Sequence, residues 1–122
     1  MDLHTTIGTH LDAYGEPDEQ RRAALIAQVW AEHGYLVDPP IDGSGHAGIS
    51  DMAATVQSKF PDHTFQRTTG IDAHHSFARY GWKLVAPGGE VALTGLDIVE
   101  IGDDGRLQRI VGFLGDVPPK EG

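Results

Sequence analysis

Two aspartates and a histidine stand where their types and spacing could move a proton. Val91 to Ile101 has the composition of a strand. Successive side chains of a strand point to opposite faces, so Val91, Leu93, Gly95, Asp97, Val99 and Ile101 share one face. A carboxylate in that apolar row must find donors, sit near a cavity, or take up a proton. Asp38 begins the string Asp38-Pro39-Pro40, which ends a short strand because proline removes a ladder donor. His10 lies on the apolar face of the first predicted helix, seven residues after Leu3. A carboxyl whose proton affinity is raised by burial can donate a hydrogen bond to a carbonyl or enolate oxygen, while a better-solvated carboxylate moves a proton. The chemistry expected of Asp38, Asp97 and His10, with His75 as a further candidate, is therefore general acid and base catalysis. Tyr14, Trp30, Tyr80 and Trp82 would supply an aromatic pocket, with Ile110 and Leu114 of the last strand extending its apolar lining.

Each residue also has a purely structural reading. Asp before Pro is a common turn former. A strand Asp is often satisfied by neighbouring hydroxyls or amides, a histidine on an apolar helix face often packs with one nitrogen satisfied, and Trp30 is most simply core.

Other chemistries find little support. Of seven histidines only His74 and His75 are adjacent, and strand neighbours point to opposite faces, so no metal site is expected. Cysteine is absent, which excludes disulfides and thiolate ligands. The 16 glycines form no phosphate-binding signature and no Gly-x-Ser-x-Gly elbow occurs, so no cofactor is expected.

These residues need elements to position them. Leu3, Ile7, Leu11 and Tyr14 follow helical spacing over about residues 2–13, and Gly15-Glu16-Pro17 breaks that helix. A second helix from Pro17 to about Glu32 buries Leu25, Ile26, Val29 and Trp30, with Gly34 as its cap. Tyr35 to Val37 is a short strand, and the glycine-rich Ile41 to Gly48 reads as a loop. Ile49, Met52, Ala53, Val56 and Phe60 mark a third helix over His46 to Phe60. Thr64 to Thr69 alternates as a strand, and a long strand from His75 onward buries Ala78, Tyr80, Trp82 and Leu84 on one face. Pro87-Gly88-Gly89 and Asp103-Asp104-Gly105 separate the last strands as turns of a meander. Three helices followed by long antiparallel strands predict an α+β domain: helices packed in a strongly curved, mostly antiparallel sheet, a conical barrel with an apolar pocket at its open end.

Length and charge narrow the function. The 122 residues suffice for one domain, assigned to residues 1–115, with 116–122 as a loosely ordered tail. Eighteen acidic against nine basic residues leave a net charge of −9, which disfavours nucleic acid and anionic membranes as partners. Neither a transmembrane run nor a secretory signal is recognisable, so a cytoplasmic protein is expected.

Several strings resemble the nuclear transport factor 2-like superfamily, in particular its SnoaL-like polyketide cyclase and ketosteroid isomerase branch. They are Ala27 to Pro39, Gly45-His-Ala-Gly-Ile49, Gly95-Leu-Asp97, and Asp104-Gly-Arg-Leu107 leading to Gly112-Phe-Leu-Gly115, and they span about residues 3–115. The resemblance implies a conical α+β barrel, a deep apolar pocket and a homodimer formed through the outer sheet face. It also implies that Asp38 matches the isomerases' proton-shuttling aspartate and Asp97 their protonated one. By counting back from Gly15, their first-helix tyrosine falls near His10, so a histidine stands where a phenolic donor is expected. Similarity to limonene epoxide hydrolases is poorer, because Arg79-Tyr80-Gly81 lacks an Arg-x-Asp arrangement. Two functions are thus expected to compete: a cofactor-independent isomerase or cyclase (or lyase) acting on a small hydrophobic carbonyl compound, and a non-catalytic ligand-binding or dimeric accessory protein.

Overall fold

The computed structural model describes residues 2–122. Two of its three helices start at side-chain caps: Asp2 accepts from the Thr5 amide at the head of α1 (Leu3–Tyr14), and Asp18 accepts from the Arg21 amide at the head of α2 (Glu19–Val29). The third is α3 (Gly45–Lys59). The described residues also form seven strands: β1 (Trp30–Asp38), β2 (Ile41–Ser44), β3 (Thr64–Arg67), β4 (Asp72–His74), β5 (Phe77–Val85), β6 (Val91–Ile101) and β7 (Leu107–Leu114).

One mixed, curved sheet runs β2-β1-β7-β6-β5-β3, with β4 also pairing with β5. Every pairing is antiparallel except β1 with β7. The path does not return to its start, so the strongly curved sheet expected forms an open cone and not a closed barrel. The helices cover its concave face, and Ile7, Leu11, Ile26 and Met52 pack with Tyr80, Leu84, Val99 and Ile110 in one buried core. The alternations predicted for β5 and β6 hold: Ala78, Tyr80, Trp82 and Leu84 are all buried, as are Asp97 and Val99.

Three local expectations change. The second helix stops at Val29, because Trp30 adopts an extended conformation and pairs with Leu107 on β7, and Gly34 lies inside β1 rather than capping a helix. Long-range pairing overrides a helical pattern that continues through Trp30. The glycine-rich stretch after Pro40 contributes β2, a hairpin partner of β1 through Asp38 and Ile41. The strand expected from His75 begins at Phe77, because His75 has φ of 52° and turns the chain, and an additional short strand, β4, precedes that turn.

Candidate active site

The strand register sets the two aspartates side by side. Asp97 on β6 is opposite Gly112 on β7, and Val37 on β1 is opposite Val111, so Asp38 lies next to Gly112 on its other side. A side chain at position 112 would collide with the Asp38 carboxyl, which occupies the space that glycine leaves. The carboxyl of Asp38 can therefore lean across β7 toward Asp97 (strands lie about 4.8 Å apart).

Asp97 is only 5% exposed. Its Oδ2 accepts from the Tyr80 hydroxyl at 2.8 Å and its Oδ1 from the Trp82 indole Nε1 at 3.1 Å. The indole reaches it by crossing Gly95, its cross-strand partner, where any Cβ would overlap the ring. Burial pushes the Asp97 carboxyl up to about 7; the nearby Asp38 charge adds to the rise, while the hydrogen bonds from Tyr80 and Trp82 oppose it. Asp38 is half-buried, and desolvation raises it to about 6. Its Oδ1 has no protein partner.

Tyr14, at the last turn of α1, completes the polar wall. The Gln57 amide donates to the Tyr14 carbonyl oxygen at 2.7 Å and pins that turn to α3. Its ring packs on Phe65, with centroids 4.7 Å apart, and Phe65 meets Trp82 edge-on at 5.2 Å. Burial, then the charges of Asp97 and Asp38, push the Tyr14 phenol well above its ordinary value, so it remains a proton donor at neutral pH.

Tyr14, Asp38 and Asp97 face a cavity of about 20 Å³ open to water centres, closed by Leu11, Leu36, Ile41, Phe65 and Trp82. That is room for about one water molecule or one ligand oxygen. Asp38, Ile41, Phe65 and Trp82 also border an apolar groove of about 250 Å³ that runs over Val56, Phe60, Leu93 and Leu114, with Thr55 and Lys59 as polar lining groups.

The structure therefore gathers Asp38, Asp97, Tyr14 and Trp82 at the cavity and Leu114 along the groove. Tyr80 acts on the site through Asp97. Trp30 and Ile110 are wholly buried and line neither space. His10 is not brought to the cavity. Its Nδ1 accepts from the Trp30 indole at 3.3 Å, its Nε2 has no partner, and burial lowers its pKa to about 3, so the ring is neutral. One turn further along the same helix, Tyr14 lines the cavity instead. His75 sits at the β4–β5 turn, outside the cavity and groove linings. Leu11, Leu36, Ile41 and Phe65 also line the cavity without having been expected there, since apolar spacing marks them only as buried.

No helix among the described residues is long and apolar enough to cross a membrane. No family model matches the chain, and no curated protein matches it. Solved structures do. A candidate isomerase of the SnoaL-like family from Agrobacterium tumefaciens str. C58 is 37% identical, with a TM-score of 0.86 over 93% of this chain and 97% of that one. An NTF2-like protein of unknown function from Exiguobacterium sp. 255-15 is 17% identical, with a TM-score of 0.71 over 92% and 99% of the two chains. A candidate polyketide cyclase from Sinorhizobium meliloti is 16% identical, with a TM-score of 0.70 over 92% and 96%. With more than a third of its residues shared along almost the full length of the first of these, the chain belongs to the SnoaL-like family of the nuclear transport factor 2-like superfamily.

Proposed function

We propose that this protein is a cofactor-independent isomerase or cyclase that moves a proton on a small hydrophobic carbonyl compound. The observation that carries the reading is the pairing of a buried, doubly hydrogen-bonded Asp97 with a half-buried Asp38 that has an unpartnered oxygen, at one small cavity. Asp38 is the base: with a pKa near 6 it is mostly ionised at pH 7 yet basic enough to take a proton from carbon α to a carbonyl. The electron pair released moves onto the carbonyl oxygen. Tyr14 and the protonated form of Asp97 donate hydrogen bonds to that oxygen, stabilising the enolate where water is excluded. Returning the proton from Asp38 to a different carbon completes an isomerisation; attack of the enolate carbon on a second carbonyl of the same molecule, with the proton passing from Asp38 to the new alkoxide oxygen, completes a cyclisation. The groove would hold the apolar remainder of the substrate.

The test is isomerisation of 3-cyclohexenone to its conjugated isomer, followed by ultraviolet absorbance, with 2-naphthol binding measured alongside. Naphthol carries a phenolic oxygen in the place of an enolate, so its affinity should fall on Tyr14→Phe and rise on Asp38→Asn, which removes a neighbouring negative charge. Naphthol binding without turnover of any carbonyl compound would favour the ligand-binding alternative, and neither binding nor turnover would sink both.

A homodimer is part of the same proposal. Tyr35, Phe77, Ile98 and Phe113 lie on the convex sheet face by register and are each more than a third exposed. Sedimentation should show a dimer for the wild type and a monomer for the double variant Ile98→Asp, Phe113→Asp. A monomeric wild type at micromolar concentration would remove this element.

A further inference from the structure

Arg22, on α2, is only 5% exposed, and among the described residues no carboxylate lies within ion-pairing distance of it. Its guanidinium instead forks between two neutral oxygens. Nε donates to the Ser50 hydroxyl on α3 at 3.0 Å, and a terminal nitrogen donates to the Glu16 carbonyl in the α1–α2 loop at 3.1 Å. Burying an unpaired charge is costly, and apolar side chains of similar volume would hold two helices together at least as well. Stability therefore does not account for Arg22, and its partners show what it holds.

The Glu16 carbonyl is also an acceptor for Gln57 of α3. One amide nitrogen of Gln57 divides its two hydrogens between that oxygen and the Tyr14 carbonyl, each at 2.7 Å. The last carbonyls of a helix have no partner within the helix. At the end of α1, side chains from two other helices serve the Tyr14 carbonyl and the loop that follows it. A connected network, from Ser50 and Arg22 through the Glu16 carbonyl to Gln57, thus fixes the backbone of the residue that faces the cavity. Ser50 and Gln57 stand about two turns apart on α3, so that helix holds both ends of the network.

We propose that Arg22 and Gln57 are positioning residues: they clamp the end of α1 so that the Tyr14 hydroxyl meets the oxygen bound in the cavity. This role rests on Tyr14 being the donor to an enolate oxygen, as proposed above. Neither Arg22 nor Gln57 lines the cavity or the groove, and each acts through the backbone of Tyr14. The cavity has room for about one oxygen, and a misplacement of about 1 Å can cost about 10²-fold in rate. A small loosening of the clamp is therefore enough to weaken the hydrogen bond.

The test measures 2-naphthol binding by calorimetry for Gln57→Leu and Arg22→Lys, each made in the wild type and in Tyr14→Phe. Lysine keeps the charge and lacks the fork, so it can hold one of the two oxygens and not both. Near-ultraviolet circular dichroism checks each fold, and because the two variants loosen the clamp from different helices, either one alone decides the question. In the wild type, affinity should fall about tenfold for Gln57→Leu and a few-fold for Arg22→Lys. In Tyr14→Phe neither change should cost anything further, because a clamp that acts through the phenol has nothing left to position. Losses of equal size in both backgrounds would make the contacts purely structural and overturn the proposal, as would wild-type affinity in both single variants. With 3-cyclohexenone as substrate, the same variants should lower kcat and leave KM near its wild-type value. A wild type that turns over no ketone while the pattern of naphthol affinities holds would sink the enzymatic reading and leave the clamp standing. A Tyr14→Phe affinity equal to wild type would remove the donor and the clamp together.

Discussion

Asp97 and Asp38 are the same residue on the same face of one sheet, separated by a single strand, yet their surroundings differ. Asp97 is enclosed and meets two donors, Tyr80 and Trp82. Asp38 ends its strand beside the Pro39–Pro40 turn, half-buried, with one enclosed oxygen unpartnered. Burial raises both, Asp97 further, to about 7 against about 6. The contrast teaches how one sheet can make an acid and a base from one side chain: desolvation sets which keeps its proton, and exposure sets which is free to move.

Experiments that disturb the contrast should act in order of how directly they touch it. Replacing the base, Asp38→Asn, should reduce turnover of an enolisable ketone by roughly 10³-fold, within the 10²–10⁴ typical of general base catalysis, with native circular dichroism; a loss under tenfold would assign the base elsewhere. Next comes the donor. Tyr14→Phe should cost about 10²-fold in kcat, whereas His10→Phe should leave the reaction nearly unchanged and destabilise the fold by about 1–3 kcal/mol, because the Trp30 indole loses its buried acceptor. Steady-state kinetics and urea unfolding of the pair distinguish a donor from a packed ring.

The pH dependence sharpens the comparison further. Activity needs Asp38 ionised and Asp97 protonated, so kcat/KM should rise through about pH 6, peak, and fall as pH passes about 7. A profile flat from pH 5 to 9 would contradict those roles. Stability carries the matching sign. Folded Asp97 keeps its proton to about pH 7, against 3.8 for an ordinary aspartate. Between those values the native state binds the extra proton, so Asp97 makes stability fall as pH rises through that window. Asp97→Asn should therefore be about 4 kcal/mol more stable than wild type at pH 8 and nearly equal to it at pH 3. Denaturant midpoints at the two pH values measure this, and equal differences at both would show that burial is not what perturbs Asp97.

The smallest expected effect comes from altering the spaces rather than the carboxylates. Gly95→Ala should push the Trp82 indole off Asp97 and cost about 1–3 kcal/mol through overpacking. Turnover should drop less than for Tyr14→Phe, since Tyr80 remains as a donor to Asp97. Thermal unfolding and kinetics together would show whether the indole positions the acid or only fills space.

Much was legible in the sequence because it depends on neighbours in the chain. The period of two along β6 set the face of Asp97, the helical spacing of Leu3, Ile7 and Leu11 set the buried side of α1, and Asp38 before two prolines marked a strand end. These are local geometry, and one residue's position follows from the next. Which turn of α1 reaches the cavity was not local. His10 and Tyr14 are four residues apart on one helix face, and spacing cannot separate them. The choice of Tyr14 follows from how deep the helix end sits, pinned by Gln57 from a segment 43 residues away. The same holds for Trp30, pulled from a helix into β1 by β7, and for Asp38, drawn toward Asp97 by the space at Gly112. The sequence by itself determined the three helices and the long strands β5, β6 and β7, and which face of each is apolar. Only the tertiary structure decided which polar side chains share a desolvated space, because desolvation and convergence arise from residues distant in the chain.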